Sequence, residues 1–279
     1  MKLGLFIPCY VDQLRPEVGL AAVRLLDALG LAFDFPEAQT CCGQPFLTAG
    51  ERGHAERLAR CYVDVFAAYD VVVTPSGSCA AHVRDHLPGL APGEPARRIA
   101  GRTRELCEFL VETGALHGRS GRYPHRVGLH ASCHALRGLR HGRPSESREP
   151  GEPIDRAPSD AAPASREPAR TPFDPARRLL ESLAGLELVP LARRDECCGF
   201  GGVFAVEEEA VSCRMGLDRL ADHEAAGAAV VTSSDVSCLL QLEGLARRRG
   251  SPLVFRHVAE ILAEAFACPP SAGGALGSR

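Results

Sequence analysis

The chain has little of what marks several common function classes. Its basic residues are almost all arginine, with a single lysine, Lys2, and aromatic residues make up only 5% of the 279 positions. No basic stretch is interleaved with aromatics, so there is no stacking platform for single-stranded nucleic acid. The formal net charge of −3 gives no reason to expect nucleic acid or an anionic membrane surface as a partner; the arginine bias reads as genome composition. No apolar run approaches the roughly 20 residues that span a bilayer. The N-terminal MKLGLFIPCY is apolar but short and reaches no small-residue cleavage site, so it reads as a first buried strand and not as a secretory signal. These absences predict a cytoplasmic protein without a membrane span. Walker A, H-E-x-x-H and G-x-S-x-G sequences are missing. The run Gly199–Gly202 fails the G-x-G-x-x-G fingerprint because its last position is Phe204, so neither nucleotide nor hydride chemistry is signalled.

Cysteine, in contrast, is abundant. Twelve are present, and in a reducing compartment that number points to metal or redox chemistry before disulfides. Two tracts stand out, TCCGQP (40–45) and ECCGFGG (196–202). A disulfide within a vicinal pair would strain the peptide between the two cysteines. The pairs need another reason, and the reason occurs twice.

The duplication extends beyond the CCG tracts. Each half opens with an apolar strand that runs into a cysteine, LGLFIPCY (3–10) and VGLHASCH (127–134). Each later has a β-rich run before another cysteine, VVVTPSGSC (71–79) and VVTSSDVSC (230–238), and a closing amphipathic stretch in which Glu108 corresponds to Glu260. Between Cys9 and Cys41 lie 31 residues, and between Cys133 and Cys197 lie 63. The excess equals the length of a 32-residue tract, 141–172, rich in Pro, Ser, Ala and charge. Such a tract buries too little apolar surface to fold alone and is expected to be a passive disordered insertion. Strand-like runs at 3–8, 32–35, 71–74, 127–130, 186–191 and 228–232 alternate with helical periodicity, as in Val18, Ala22, Leu25, Leu26 and Leu29, closed by Gly30. Strands alternating with helices predict an α/β fold: two similar α/β domains with parallel sheets, residues 1–120 and 121–279, packed together.

In open parallel sheets, sites gather at the carboxyl ends of the strands. Cys9, Cys41, Cys42 and Cys79 converge there in the first half, and Cys133, Cys197, Cys198 and Cys238 in the second. Four thiolates suit a structural zinc or an iron–sulfur cluster. Side chains on consecutive residues diverge, which suits a multinuclear cluster better than one tetrahedral ion. Gly43 and Gly199 let backbone N–H groups approach the sulfurs. Zinc and unmetallated thiols remain open on this reasoning.

Five stretches carry a more specific likeness: QTCCGQP (39–45), VVTPSGSC (72–79), HASCHALR (130–137), CCGFGGVFAV (197–206) and HVAEIL (257–262). They resemble the cysteine-rich CCG domain found in heterodisulfide reductase and in the iron–sulfur subunits of glycolate and anaerobic glycerol-3-phosphate dehydrogenases. The branch most resembled is the lactate utilisation protein A family. The resemblance implies two CCG domains and an iron–sulfur electron-transfer subunit acting in oxidation of L-lactate to pyruvate with two partner proteins. It implies the eight cysteines above as ligands. The heterodisulfide-reductase motif ends each repeat in C-x2-C. Here Ser76 and Asp235 replace the first cysteine of that pair, which argues against its five-cysteine cluster and its disulfide chemistry. A conventional four-cysteine cluster, [4Fe–4S], at one or two per chain is expected, with a thiol/disulfide reductase or a zinc-stapled binding module as alternatives. Asp235 as an extra ligand is set below a solvated loop aspartate. His82, His130 and His134 flank motif cysteines without being required by the repeat, and Cys61, Cys107, Cys213 and Cys268 are expected to be small buried hydrophobes.

Overall fold

The computed structural model describes residues 1–147 and 173–266. The first half runs β1 (Leu3–Leu5), α1 (Cys9–Leu14), α2 (Pro16–Ala28), α3 (Gln44–Thr48), α4 (Arg52–Phe66), β2 (Val71–Thr74), α5 (Gly77–Leu90), α6 (Glu94–Arg102), β3 (Thr103–Glu105) and α7 (Leu106–Thr113). The second runs β4 (Arg126–Leu129), a π-turn (His134–Gly138), a 3₁₀ turn (Ser145–Ser147), α8 (Pro175–Glu181), β5 (Glu187–Leu188), α9 (Phe204–Glu207), α10 (Glu209–Ala225), β6 (Val230–Ser233), α11 (Val236–Arg249), β7 (Val254–His257) and α12 (Val258–Phe266). The sheets are β1-β2-β3 and β5-β4-β6-β7, and every strand pair is parallel. Parallel neighbours need long crossovers, and the helices supply them.

Local chemistry accounts for the element ends. Pro16 sits at the first position of α2, where a missing N–H costs nothing. Val18, Ala22, Leu25 and Leu26 form its buried face, and Gly30, at φ +70°, turns the chain out of it. The junctions after β3 and β7 use the same cap. Glu105 accepts from the backbone N–H of Cys107 and Glu108 while Glu108 accepts from the N–H of Glu105. In the second half, His257 Nδ1 accepts from the N–H of Ala259, and Glu260 accepts from the N–H of His257. The duplicated Glu108 and Glu260 are therefore capping residues.

One central hydrophobic cluster joins the halves, from Leu3, Leu5, Val18 and Leu25 to Leu129, Leu180, Val258 and Leu262. Helix α12 packs on α2 within it. Two outer clusters lie behind the cysteine loops, one around Phe6, Tyr62 and Phe66 and the other around Leu220, Val231 and Leu242. The core thus runs across the sequence boundary near residue 120.

Several expectations are corrected. The strand expected at 32–35 is one bridge, Gly4 to Asp34, where the second half has β5. Strands β3 and β7, which the strand-like runs did not include, overlap the closing amphipathic stretches; at three and four residues they are too short to display a period of two. The tract expected to be a passive insertion begins with packed residues. His141 is buried, its N–H donates to the Ala135 carbonyl, and the N–H of Gly142 donates to the Phe173 carbonyl. The rest of that tract, 148–172, lies outside the described residues. Among the described residues no helix is long and apolar enough to cross a membrane.

Candidate metal centres

Each cysteine quartet is assembled at the carboxyl edge of its sheet. Cys9 opens α1 just beyond β1, Cys41 and Cys42 lie in the loop before α3, and Cys79 is in the first turn of α5. Cys133 precedes the π-turn just beyond β4, Cys197 and Cys198 lie in the loop before α9, and Cys238 is in the first turn of α11. Helix N-termini carry partial positive charge, which favours thiolates there.

Each vicinal pair reaches two different further cysteines, although its own two sulfurs stay within hydrogen-bond reach of each other. Cys41 Sγ lies 3.5 Å from Cys9 Sγ, and Cys42 Sγ lies 3.5 Å from Cys79 Sγ. In the second half Cys197 meets Cys133 and Cys198 meets Cys238. Gly43 at φ +95° and Gly199 at φ +85° turn their N–H groups back onto Cys41 Sγ and Cys197 Sγ, each at 3.4 Å. Hydrogen bonds from Cys42 and Cys9 hold the Cys41 thiol down at about 3. Those from Cys133 and Cys198 hold Cys197 at about 2. The donors are pushed the other way: Cys9 by its bond to Cys41 and then by burial, Cys133 by its bond to Cys197 and then by burial. Each quartet therefore holds one ready thiolate, with further thiols that a metal can deprotonate on binding. The all-sulfur donor set with backbone N–H support fits zinc or an iron–sulfur group. No disulfide links any cysteine among the described residues.

The two quartets are not remote from one another, which the sequence did not suggest. Cys9, Cys42 and Cys79 share one largely apolar cavity of about 280 Å³ with Cys133, Cys197, Cys198 and Cys238. Tyr10 and Phe200 meet edge to face across it at 5.8 Å, and Gln44 Nε2 lies 2.9 Å from His134 Nε2.

Asp235 is neither solvated nor directed at a thiol. It is 1% exposed, and its carboxylate accepts from Ser76 Oγ at 3.1 Å, Ser78 N at 2.9 Å and Ser78 Oγ at 2.7 Å. It caps a helix of the opposite half, α5, while Ser76 caps that helix from its own side by accepting from Cys79 N. The N–H of Gly77 donates to the Ser234 carbonyl beside this clasp.

The histidines fall in different places. His134 faces the cavity, its Nδ1 3.6 Å from Cys133 Sγ. His82 is buried one turn after Cys79, held down at about 4 by burial and by His86, with Nε2 unpartnered. His130 is 1% exposed, held down at about 3 by burial and then by the Arg219 cation, and neither ring nitrogen has a hydrogen-bond partner. A ring nitrogen of His130 and the sulfurs of Cys198 and Cys238 lie within 4.8 Å of one another. Of the other cysteines, Cys107 is fully buried as expected, Cys213 is partly buried and Cys61 is exposed. Cys61 thus departs from the expected core role, and Cys268 lies outside the described residues.

Behind their quartets the two repeats differ in a way that composition conceals. Cys9 and Cys133 place Phe6 opposite His130. Gly43 packs on Ala55 and Gly199 on Ser212, which places Tyr62 opposite Arg219 and Phe66 opposite His223. Behind the first quartet Phe6 packs on Tyr62 at 5.1 Å and on Phe66 at 5.6 Å. Behind the second, Arg219 is fully buried and pairs with Asp222 at 3.0 Å, and the His130 and His223 rings lie 6.4 Å apart. Gly128 makes room for the His223 ring, which a Cβ there would overlap. Arg219 and His223 escaped the sequence reading, because the helices after the CCG loops were not set in register residue by residue.

The pattern of a cysteine-rich domain designated CCG matches residues 3–84 and 167–243. The second match begins beyond Cys133, which the insertion separates from the rest of its repeat. The chain is 37% identical to lactate utilization protein A of Geobacillus kaustophilus, covering 94% of this chain and 98% of that protein. It is 37% identical to the protein of that name from Geobacillus thermodenitrificans, at 94% and 98% coverage. The protein of that name from Halalkalibacterium halodurans is 34% identical, at 94% and 96% coverage. Two CCG quartets on duplicated parallel sheets and likeness along nearly the whole chain place this protein in the lactate utilisation protein A family of CCG cysteine-rich proteins.

Proposed function

We propose that this chain is an iron–sulfur electron-transfer subunit in the oxidation of L-lactate to pyruvate, working with two partner proteins. The single observation that carries the redox part is the pair of all-cysteine quartets opening onto one cavity. Lactate comes from the names of the relatives. When bound, an iron–sulfur group supplies one-electron chemistry. The residues of the chain do the rest. Cys9, Cys41, Cys42 and Cys79 hold one group, and Cys133, Cys197, Cys198 and Cys238 hold the other. Gly43 and Gly199 donate N–H groups to the sulfurs, and Tyr10 and Phe200 limit the access of water between the sites. Four thiolates in each half match the ligand count of a [4Fe–4S] group. The shared cavity also favours a second reading, in which a small thiol or disulfide sits between the quartets.

Iron, acid-labile sulfide and zinc per chain on anaerobically purified protein, with EPR before and after dithionite, test the reading. Iron and sulfide in near-equal amounts, with a signal that changes on reduction, are expected. Cys42→Ser and Cys198→Ser should each lose the iron of one half. Stoichiometric zinc without sulfide would overturn the electron-transfer role. A signal that shifts on adding a small thiol would move the assignment to the second reading. Deletion of the gene should abolish growth on lactate, and undiminished growth would remove lactate from the assignment.

A further inference from the structure

The two halves share a fold and a cysteine count, but they do not offer a metal the same donors. In the first, the wall behind the quartet is Phe6 packed against Phe66 and against Tyr62, whose hydroxyl lies 3.4 Å from Thr103 Oγ1. His82, though buried with Nε2 unpartnered, forms no group with two of that quartet's cysteines that could hold a metal ion among the described residues. In the second, the same position, one residue beyond the strand, is His130. Its ring is buried, both nitrogens are unpartnered, and one lies within 4.8 Å of Cys198 Sγ and Cys238 Sγ, which are themselves within that distance of each other. An imidazole buried without a hydrogen-bond partner forfeits solvation that something must restore. His223, its neighbouring ring, makes no hydrogen bond to it. The other non-cysteine candidate of this half, Asp235, has both carboxylate oxygens engaged by Ser76 and Ser78.

We infer that His130 is a nitrogen ligand of the metal group held by Cys198 and Cys238, a donor beyond the four thiolates, so that the second centre is a mixed nitrogen–sulfur site and the first is all-thiolate. The inference rests on the metal-binding reading above and adds the identity of one donor. Imidazole and thiolate differ in charge and softness, and a nitrogen donor added to one of two cysteine quartets alters the ligand set that tunes its reduction potential. Two centres facing one cavity would then be unlike in potential, with a direction of electron flow built into the duplicated fold by one substitution.

The test uses the full chain, reconstituted anaerobically with ferrous iron and sulfide and reduced with dithionite. Iron and sulfide are counted on each sample, and ¹⁴N hyperfine couplings are read by pulsed EPR. The wild type should show the strong coupling of a directly ligated imidazole nitrogen. His130→Phe, which copies Phe6 of the first half, should lose it. His130→Cys, which restores a ligand without nitrogen, should keep the iron and lose the coupling. His134→Gln should retain it. Iron and sulfide without a strong ¹⁴N coupling in the wild type would overturn the inference and leave the proposed function standing. So would a coupling that survives in His130→Cys. A wild-type chain that takes up no metal would overturn both.

Discussion

Glu105 illustrates how much one buried group can control. Its carboxylate caps α7, yet one oxygen has no partner, and burial pushes its pKa up to about 7 from 4.5. The folded state therefore keeps a proton that the unfolded chain has released. Stability is highest below the unfolded value and falls as pH rises from 4.5 to about 7. Glu105→Gln keeps a cap acceptor and removes that titration. Denaturant titrations at pH 5 and pH 8 should show the variant gaining on the wild type by on the order of 3 kcal/mol between the two pH values. An unchanged difference would mean that Glu105 is not protonated in the fold. At the same scale His130 was visible in the sequence as a neighbour of Cys133, but its isolation was not, because isolation depends on what fails to surround a residue.

The CCG loops are the elements on which the sites depend, and their glycines are not equivalent. A Cβ on Gly43 would meet nothing nearer than the Ala55 carbonyl oxygen at 3.5 Å, whereas one on Gly199 would overlap the Ser212 carbonyl oxygen. Both have positive φ, which costs a non-glycine residue about 1–2 kcal/mol. Gly43→Ala should lose roughly that amount. Gly199→Ala should lose at least about 3 kcal/mol once the overlap is added. Chemical denaturation of the two variants side by side decides it, and equal losses would refute the asymmetry. Much at this scale was legible from the chain. That Cys41 and Cys42 take different further partners follows from their adjacency, and the helical face of Val18, Ala22, Leu25 and Leu26 follows from its period. The strands Thr103–Glu105 and Val254–His257 were not legible, because such short strands are defined by their neighbours and not by their own pattern. Asp235 misled for a related reason. An aspartate between a strand and a cysteine reads as a solvated loop residue, and its actual partners, Ser76 and Ser78, lie more than 150 residues away in the chain.

For the molecule as a whole, that clasp decides how far the halves are independent. The repeat suggests two domains, but the central hydrophobic cluster crosses between them and Arg15 bonds to Glu243 at 2.8 Å from the other side. Asp235→Ala removes the acceptor for Ser76 and Ser78 and leaves the Ser78 N–H without its partner. A loss of about 3 kcal/mol is expected. It should be accompanied by lower iron content in the first half, whose Cys79 stands on the helix that Asp235 caps. Denaturation and metal analysis of the variant check both, and iron loss confined to the second half would contradict the clasp. The clasp also bears on how the chain matures. A residue of the second half completes the helix that presents Cys79, so the first quartet does not reach its final shape until the two halves have docked. The dependence is ordered and one-sided: in a chain whose second half has yet to fold, Cys79 stands on a helix without its outer cap, so the first site is the later of the two to be finished.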